Sequence, residues 1–367
     1  MKGLLEHDHH AGAFLRQLSL EMETSRDDPT IQPQFIRQFN LRDSCLIEGV
    51  VDRGSRGRKE VKSILSINHL SPEEWRGKET LSSRTAIDPF DRLQLTTSPT
   101  DYSMRVVDLL CPIGKGQRAL IVAPPRSGKT VLMQQLAHAI STNHPEIDLM
   151  VLLVDERPEE VTDMRRTIRG EVFASSSDSD REQHVRLAKL VLEYAKRQTE
   201  AGKDVVLLLD SLTKMGRAFN AVQKSSGKVM SGGVDSRALE IPKKIFGAAR
   251  TLEGGGSLTI IATALVETNS RMDELIFQEF KGTGNMELVL NRDLSNDRIY
   301  PAINIPESGT RREELLFGSD TSKYQLLRRA LNRMKPKEAM LNMQKAIAQY
   351  PTNRKLLDQL TRSQKAN

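Results

Sequence analysis

Cysteine is almost missing from this chain. Cys45 and Cys111 stand far apart, with no partner motif around either. That excludes a disulfide framework and a cysteine zinc site, and it fits a reducing compartment. Long apolar runs are missing too, so no segment approaches the length that spans a bilayer. The N-terminus lacks the apolar core of a secretion signal. Together these absences point to a cytoplasmic protein with no membrane partner. No internal repeat is visible. Acidic residues are scarce near the C-terminus, where residues 321–367 carry eleven Lys/Arg against only Glu338 and Asp358. A basic end of this kind either meets nucleic acid or presents a solvated helical face, the more ordinary reading.

What is present is a chain of 367 residues with a net charge of +6, 38% hydrophobic and 28% charged. These are the proportions of a soluble globular protein long enough for two or three domains. The most informative stretch is Gln117–Thr130, QRALIVAPPRSGKT. An apolar β-prone run, Ala119–Val122, turns through a Pro/Gly loop onto Lys129-Thr130, and an amphipathic helical pattern follows. This is the back half of a phosphate-binding loop, with Ala123 where its first glycine usually stands. Backbone N–H groups around Arg126, Ser127, Gly128, Lys129, Thr130 and Val131 would face phosphate oxygens at a helix N-terminus. Lys129 would reach the β/γ-phosphates of ATP, and Thr130 would hold Mg²⁺.

Before that loop the texture differs. His7, Asp8, His9 and His10 make either a metal site or, the more ordinary reading, a flexible surface segment. Short β-prone runs at Cys45–Val51 and Val61–Ile67 flank turn residues, as in a small β-barrel. A basic cluster, Arg53, Arg56, Arg58, Lys59 and Lys62, lies between and within them. Phe14, Phe35 and Phe39 alternate with arginines, including Arg16 and Arg42. Such residues suit a single-strand nucleic-acid platform, or the phenylalanines are simply core. Residues 71–104 read as a linker, with Pro72, Pro89 and Pro99.

From Arg105 onward the chain is α/β. Strands are expected at Ala119–Val122, Leu149–Val154, Val205–Leu209 and Leu258–Ala264, all apolar enough for burial on both faces. Helical patterns lie between them at Thr130–Ile140, Glu159–Arg169, Glu182–Arg197 and Ala238–Ala249. The alternation implies a mostly parallel sheet with ligands beyond the C-terminal strand ends. Two of those ends carry carboxylates. Leu149–Val154 leads to Asp155-Glu156, and Glu156 is placed to polarise the attacking water. Val205–Leu209 leads to Asp210, positioned to hold Mg²⁺ or its water shell. Each could alone be a helix cap, and Asp155 reads as no more than that.

Two glycine-rich segments carry lysines, Lys228 in 227–234 and Lys281 in 279–285. They either grip a phosphodiester backbone or serve as flexible connectors. Ser308-Gly309-Thr310-Arg311 presents an arginine suited to reach a γ-phosphate across a subunit boundary. Thr310 and Glu313 could also form a capping box there. Residues 321–367 read as helices.

The blocks PPRSGKT, LLVDERPEEVTDMRR, KDVVLLLDSLTK, SGKVMSGGVD, FGAAR, GGSLTIIATAL, FKGTGNMEL and SGTRREELL, in this order from about Asp108 to Leu316, closely resemble the Rho family of bacterial transcription termination factors. AGAFLR and QFIRQFNLRD extend the resemblance more weakly towards the N-terminus. The resemblance implies a RecA-like P-loop NTPase domain with a mostly parallel sheet, preceded by a small OB-fold, cold-shock-like β-barrel. It divides the chain into a barrel at 1–70 (without the helical segment that usually precedes it), a linker at 71–104, a motor at 105–320 and its helical part at 321–367. It implies a homohexamer that hydrolyses ATP with Mg²⁺, moves 5′-to-3′ on single-stranded RNA and releases transcripts from RNA polymerase. Lys129, Glu156 and Arg311 match its catalytic set, and Thr130 and Asp210 its metal-holding pair. Arg298 and Tyr300 match a nucleotide-sensing arginine and the aromatic against adenine. Lys228 and Lys281 match its channel loops, with Phe14, Arg16 and Arg42 on the primary RNA site. Two rivals remain: an RNA-binding regulator that keeps nucleotide only as a switching ligand, and another RecA-like motor.

Overall fold

In a computed structural model of the chain, residues 1–8, 12–19, 21–54, 57–223, 232–235 and 237–365 are described. The first seventy residues close into a five-stranded barrel. Its strands are Lys2–Asp8, Gly12–Gln17, Thr30–Ile31, Leu46–Arg53 and Lys59–Ile67, in the spatial order first, second, third, fifth, fourth. The first pairs antiparallel with the fourth to shut the ring, so the architecture fits an OB fold. Strand Lys2–Asp8 corrects the expectation of a flexible His-bearing segment. Leu4 and Leu5 are fully buried and pin it into the barrel, while His7 Nδ1 meets Asp43 Oδ1 at 2.5 Å. His9 and His10 lie outside the described residues. The barrel core is Leu5, Leu15, Ile31, Ile47, Val61 and Ile67, with Phe35, Ile36 and Phe39 packed against it. Trp75 joins that core from helix Pro72–Arg76.

The large sheet is built on four strands whose apolar runs the sequence displays, and on others that it hides. Its order is Glu171–Ser176, Asp148–Glu156, Asp204–Asp210, Ser257–Leu265, Arg118–Ala123, Met286–Val289, Gly309–Thr310. The first six are mutually parallel, and the last is antiparallel to its neighbour. Alternate residues face two cores. Ala119, Ile121 and Ala123 join one cluster, while Leu120 and Val122 join the other. A strand buried on both faces needs an apolar side chain at nearly every position, which is the observed pattern. Strands Glu171–Ser176 and Met286–Val289 were not expected: the first is interrupted by polar and half-buried residues, and the second is only four residues long. The anticipated capping box at Thr310 does not form. Thr310 belongs to the last strand, and its hydroxyl donates to Pro112 O at 2.7 Å. The helix expected over Ala238–Ala249 is shorter, Glu240–Phe246.

Helix Arg181–Glu200 seats the barrel on the sheet domain. Asp180 caps it by accepting from Gln183 N at 2.7 Å. Near its start Arg186 donates through Nε and Nη2 to both oxygens of Glu6 in the barrel, each at 2.6 Å. At its end Glu200 Oε2 lies 3.2 Å from Arg42 and 3.0 Å from Arg197, and Glu200 accepts from Leu81 N at 2.7 Å. Leu4, Met22 and Leu46 sit in the apolar cluster of that sheet face. The two bodies therefore share a continuous core bounded by ion pairs. No described helix is long and apolar enough to cross a membrane.

Candidate functional site

Strand Arg118–Ala123 leaves the sheet and the chain turns through Pro124–Gly128 before helix Lys129–Asn143 begins. The turn is tight because Ser127 donates through Oγ and N to Pro124 O, at 2.7 and 3.3 Å. Gly128 caps the helix at φ 90°, a left-handed angle that favours glycine. A Cβ there would meet the Tyr300 ring at 3.3 Å. The first N–H groups of the helix have no intrahelical partner, so they open into the loop as an anion cradle. A cavity of about 540 Å³ lies against it, lined by Arg126 to Leu132, Ser103, Leu290, Tyr300 and Pro301. That volume suits a nucleotide, and the exposed Tyr300 ring forms one wall.

The expected carboxylates converge beneath this loop. Lys129 Nζ lies 2.5 and 2.6 Å from the two oxygens of Asp210 and 4.0 Å from Glu156 Oε2. Asp210 is buried and also accepts from Thr263 Oγ1 at 2.7 Å. Glu156 is buried as well. Its Oε1 accepts from Lys214 Nζ at 2.9 Å and Arg157 N at 3.2 Å, whereas Oε2 has no hydrogen-bond partner. One cation, Lys214, and one backbone N–H hold Oε1, while Oε2 lies near Lys129 without a hydrogen bond and can accept one. Thr130 Oγ1 stands 3.4 Å from Glu160. The donor set of Thr130 hydroxyl and Asp210 carboxylate is all oxygen, which fits Mg²⁺.

Sequence reasoning missed Lys214. Its signal was the run Asp210-Ser211-Leu212-Thr213-Lys214. Ser211 caps the next helix by accepting from Lys214 N at 3.2 Å. The lysine in that first turn therefore points back at the neighbouring strand end, where it also donates to Asp155 O at 2.8 Å. Asp155 is not a cap: Arg157 occupies that position of the following helix.

The remaining expected residues separate into three places. Arg298 is exposed at φ 61°, two residues before Tyr300, and does not line the cavity. Arg311 is exposed in a different cleft, beside Gly284 to Glu287, with its N–H on Asn285 O at 2.8 Å. It does not turn to its own phosphate loop. Lys281 is exposed just past helix Arg271–Phe280 with its ammonium 5.7 Å from the Phe277 ring, and a Cβ on Gly282 beside it would stand 4.0 Å from Arg311 Nη2. Lys228 lies outside the described residues.

Two of the expected RNA contacts in the barrel point inward. Arg16 is 5% exposed. It donates to Glu6 Oε2 at 2.6 Å and Asp28 Oδ2 at 2.7 Å. Burial opposes its charge, but those carboxylates raise its pKa above the ordinary value. Its guanidinium also covers the Phe14 ring at 4.6 Å. Arg42 stacks on Trp75 at 4.7 Å and faces Glu200, and burial lowers its pKa. Phe35 and Phe39 stack on each other with centroids 6.3 Å apart, as part of the core.

Comparison with known proteins agrees with this geometry. Residues 103–310 match the model of the ATP synthase alpha/beta family, nucleotide-binding domain. A transcription termination factor Rho of Cereibacter sphaeroides is 50% identical over 98% of this chain and 86% of its own length. Another, from Pseudomonas aeruginosa, is 48% identical over 98% of the chain and 87% of its own length. Among solved structures, an ATPase of the type III secretion system of pathogenic bacteria shares the fold. Its TM-score is 0.60 at 21% identity, over 76% of this chain and 86% of its own.

Proposed function

The chain belongs to the transcription termination factor Rho family, and from that premise we propose that it is an RNA-dependent ATPase that terminates transcription by moving along single-stranded RNA and freeing it from RNA polymerase. The observation that carries the motor reading is the convergence of Lys129, Glu156 and Asp210 at two strand ends under one phosphate loop. The unpaired Glu156 oxygen beside Lys129 and Asp210 favours this reading over a nucleotide-binding regulator.

The roles follow from the geometry. Backbone N–H groups from Ser127 to Val131 and the Lys129 ammonium hold the ATP phosphates, and Tyr300 covers the base. Thr130 and Asp210 would hold Mg²⁺, which shields phosphate charge when bound. Glu156 Oε2 accepts a hydrogen bond from the attacking water and orients it, while Lys214 fixes Oε1. Arg311 opens away from its own loop. It therefore serves the site of a neighbouring copy, neutralising charge that develops on the transferred phosphoryl group. A ring of six copies closes each site in this way, as a heterologous interface does when its rotation closes. Lys281, one residue from the Gly282 backbone that approaches Arg311, would couple RNA contact to that finger. The site of action is the cytoplasm, where RNA polymerase works. The test is a stalled transcription complex supplied with the protein. Release of transcript with ATP, and none with a non-hydrolysable analogue, supports the reading, while release without hydrolysis rejects it.

A further inference from the structure

The C-terminal helices are the part of the chain that the motor reading leaves without a role. Helix Pro336–Gln349 buries Ala339, Met340, Met343 and Ile347 in the same core cluster as Ile299, Ala302 and Ile303. On that helix, two side chains reach back to the loop that carries Tyr300. Gln344 Nε2 donates to Tyr300 O at 2.7 Å. Lys337 Nζ meets Asp297 Oδ2 at 2.8 Å. Residues 337 and 344 are seven apart, two helical turns, and so share a flank roughly 10 Å long. The loop between the two ties holds Arg298 in a left-handed conformation at φ 61°. Its own contacts are short-range: Arg298 N to Ser295 O at 3.1 Å, Ile299 N to Leu294 O at 2.9 Å, and the Tyr300 hydroxyl to Ser295 O at 3.4 Å. Tyr300 is 42% exposed, so little besides its backbone fixes where the ring stands over Gly128.

We propose that Gln344 and, more weakly, Lys337 are positioning residues for nucleotide binding: the C-terminal helix straps the 297–301 loop so that Tyr300 is held as the wall of the base subsite. This rests on the reading of the 540 Å³ cavity as the ATP site. The Gln344 amide fixes the carbonyl of the wall residue itself. Both ties lie at the surface, and the Lys337–Asp297 pair, acting three residues from Tyr300, contributes less. The strap acts on the base and leaves the phosphates to the loop, so its loss separates two ligand classes that a general loss of structure would weaken together.

The test is a pair of titrations on the intact protein with Mg²⁺, one with a fluorescent N-methylanthraniloyl derivative of ADP and one with inorganic tripolyphosphate as competitor. Loss of one hydrogen bond predicts that Gln344→Ala weakens the adenine nucleotide roughly fivefold and leaves tripolyphosphate within about twofold. In hydrolysis the same variant raises KM for ATP and leaves kcat near its starting value. Lys337→Asp produces a smaller loss of the same kind, and pairing it with Asp297→Lys restores binding. Tyr300→Ala is the reference, with the same selective loss at least as large. Equal weakening of both ligands by Gln344→Ala, or of neither, overturns the strap while the base subsite stands on Tyr300→Ala. If Tyr300→Ala also leaves the two ligands in their original ratio, the base subsite falls and the strap with it.

Discussion

The sheet domain and the barrel both present arginines, lysines and carboxylates in patterns that suggest binding, yet they use them in opposite ways. In the sheet domain, charges from distant parts of the chain gather at strand ends and leave something open. Glu156 keeps one buried oxygen without a hydrogen bond, Arg311 lines a cleft away from its own loop, and Lys281 stands exposed. In the barrel, the charges close on each other. Arg16 is taken by Glu6 and Asp28, and Arg42 is held between Trp75 and Glu200. A charged residue signals function when the fold leaves part of its bonding capacity unused. Arg16 signals architecture, because two carboxylates match its charge; Arg42 is intermediate, with Nη2 at Glu200 while Nε and Nη1 stay buried without a partner.

The largest effect that sharpens this contrast is expected at Arg311. Arg311→Ala should lower RNA-stimulated kcat by about 10³-fold. Nucleotide affinity should change far less, because the arginine meets charge that develops on the neighbour's phosphoryl group only in the transition state. Comparison of steady-state hydrolysis with nucleotide titration checks this, and parallel loss of both would place the arginine in the wrong role. In the barrel the expected effect is on stability. Arg16→Ala leaves Glu6 and Asp28 short of a partner and should cost about 3 kcal/mol in urea unfolding. RNA affinity should change little. A variant of unchanged stability and lost RNA binding would break the comparison outright.

A smaller effect is expected at Lys281. Lys281→Ala should reduce RNA stimulation roughly tenfold, as for one charge-assisted phosphate contact, with unstimulated nucleotide binding intact. The smallest concerns acid. Burial raises the pKa of Glu6, but its ion pairs with Arg186 and Arg16 outweigh that and hold it below the ordinary 4.5. A carboxyl whose pKa falls on folding contributes stability above its unfolded value and loses it as pH drops through the folded one. The seat of the barrel on helix Arg181–Glu200 should therefore be intact at neutral pH and weaken only below about pH 4.5. Intrinsic fluorescence of Trp75, in the barrel core under the Arg42 guanidinium that faces Glu200 of that helix, can follow it. Weakening at higher pH would mean that Glu6 does not carry the contact.

The same contrast explains what could be read in advance. The phosphate loop and the carboxylates were legible because strand burial dictates long apolar runs, and a charge at the end of such a run stands out. Strand Asp204–Asp210 shows this plainly, with six apolar or acidic positions buried in a row. Strand Met286–Val289 was hidden because four residues give too few positions to establish a period, and Glu171–Ser176 because Glu171, Ser175 and Ser176 break its apolar run. Lys214 was hidden for a different reason. Its role depends on the cap at Ser211, which turns a lysine one strand away towards Glu156. In the barrel, spacing could not say whether Arg16 faces out or in, because the answer depends on Asp28 arriving from another strand connection. Gln344 was beyond reach: an uncharged residue on an amphipathic helix carries no sign that its amide ends on a carbonyl forty-four positions away.

The central claim is that this chain couples an intact hydrolytic site to single-stranded RNA. The most direct measurement is steady-state ATP hydrolysis at fixed low salt, with no nucleic acid, with single-stranded RNA and with duplex DNA, since phosphate contacts weaken as salt rises. The account predicts slow hydrolysis alone, strong stimulation by RNA but not by duplex DNA, and no activity in Lys129→Ala under any condition. Nucleotide binding without hydrolysis in the presence of RNA, or hydrolysis at one rate in all three conditions, would contradict it.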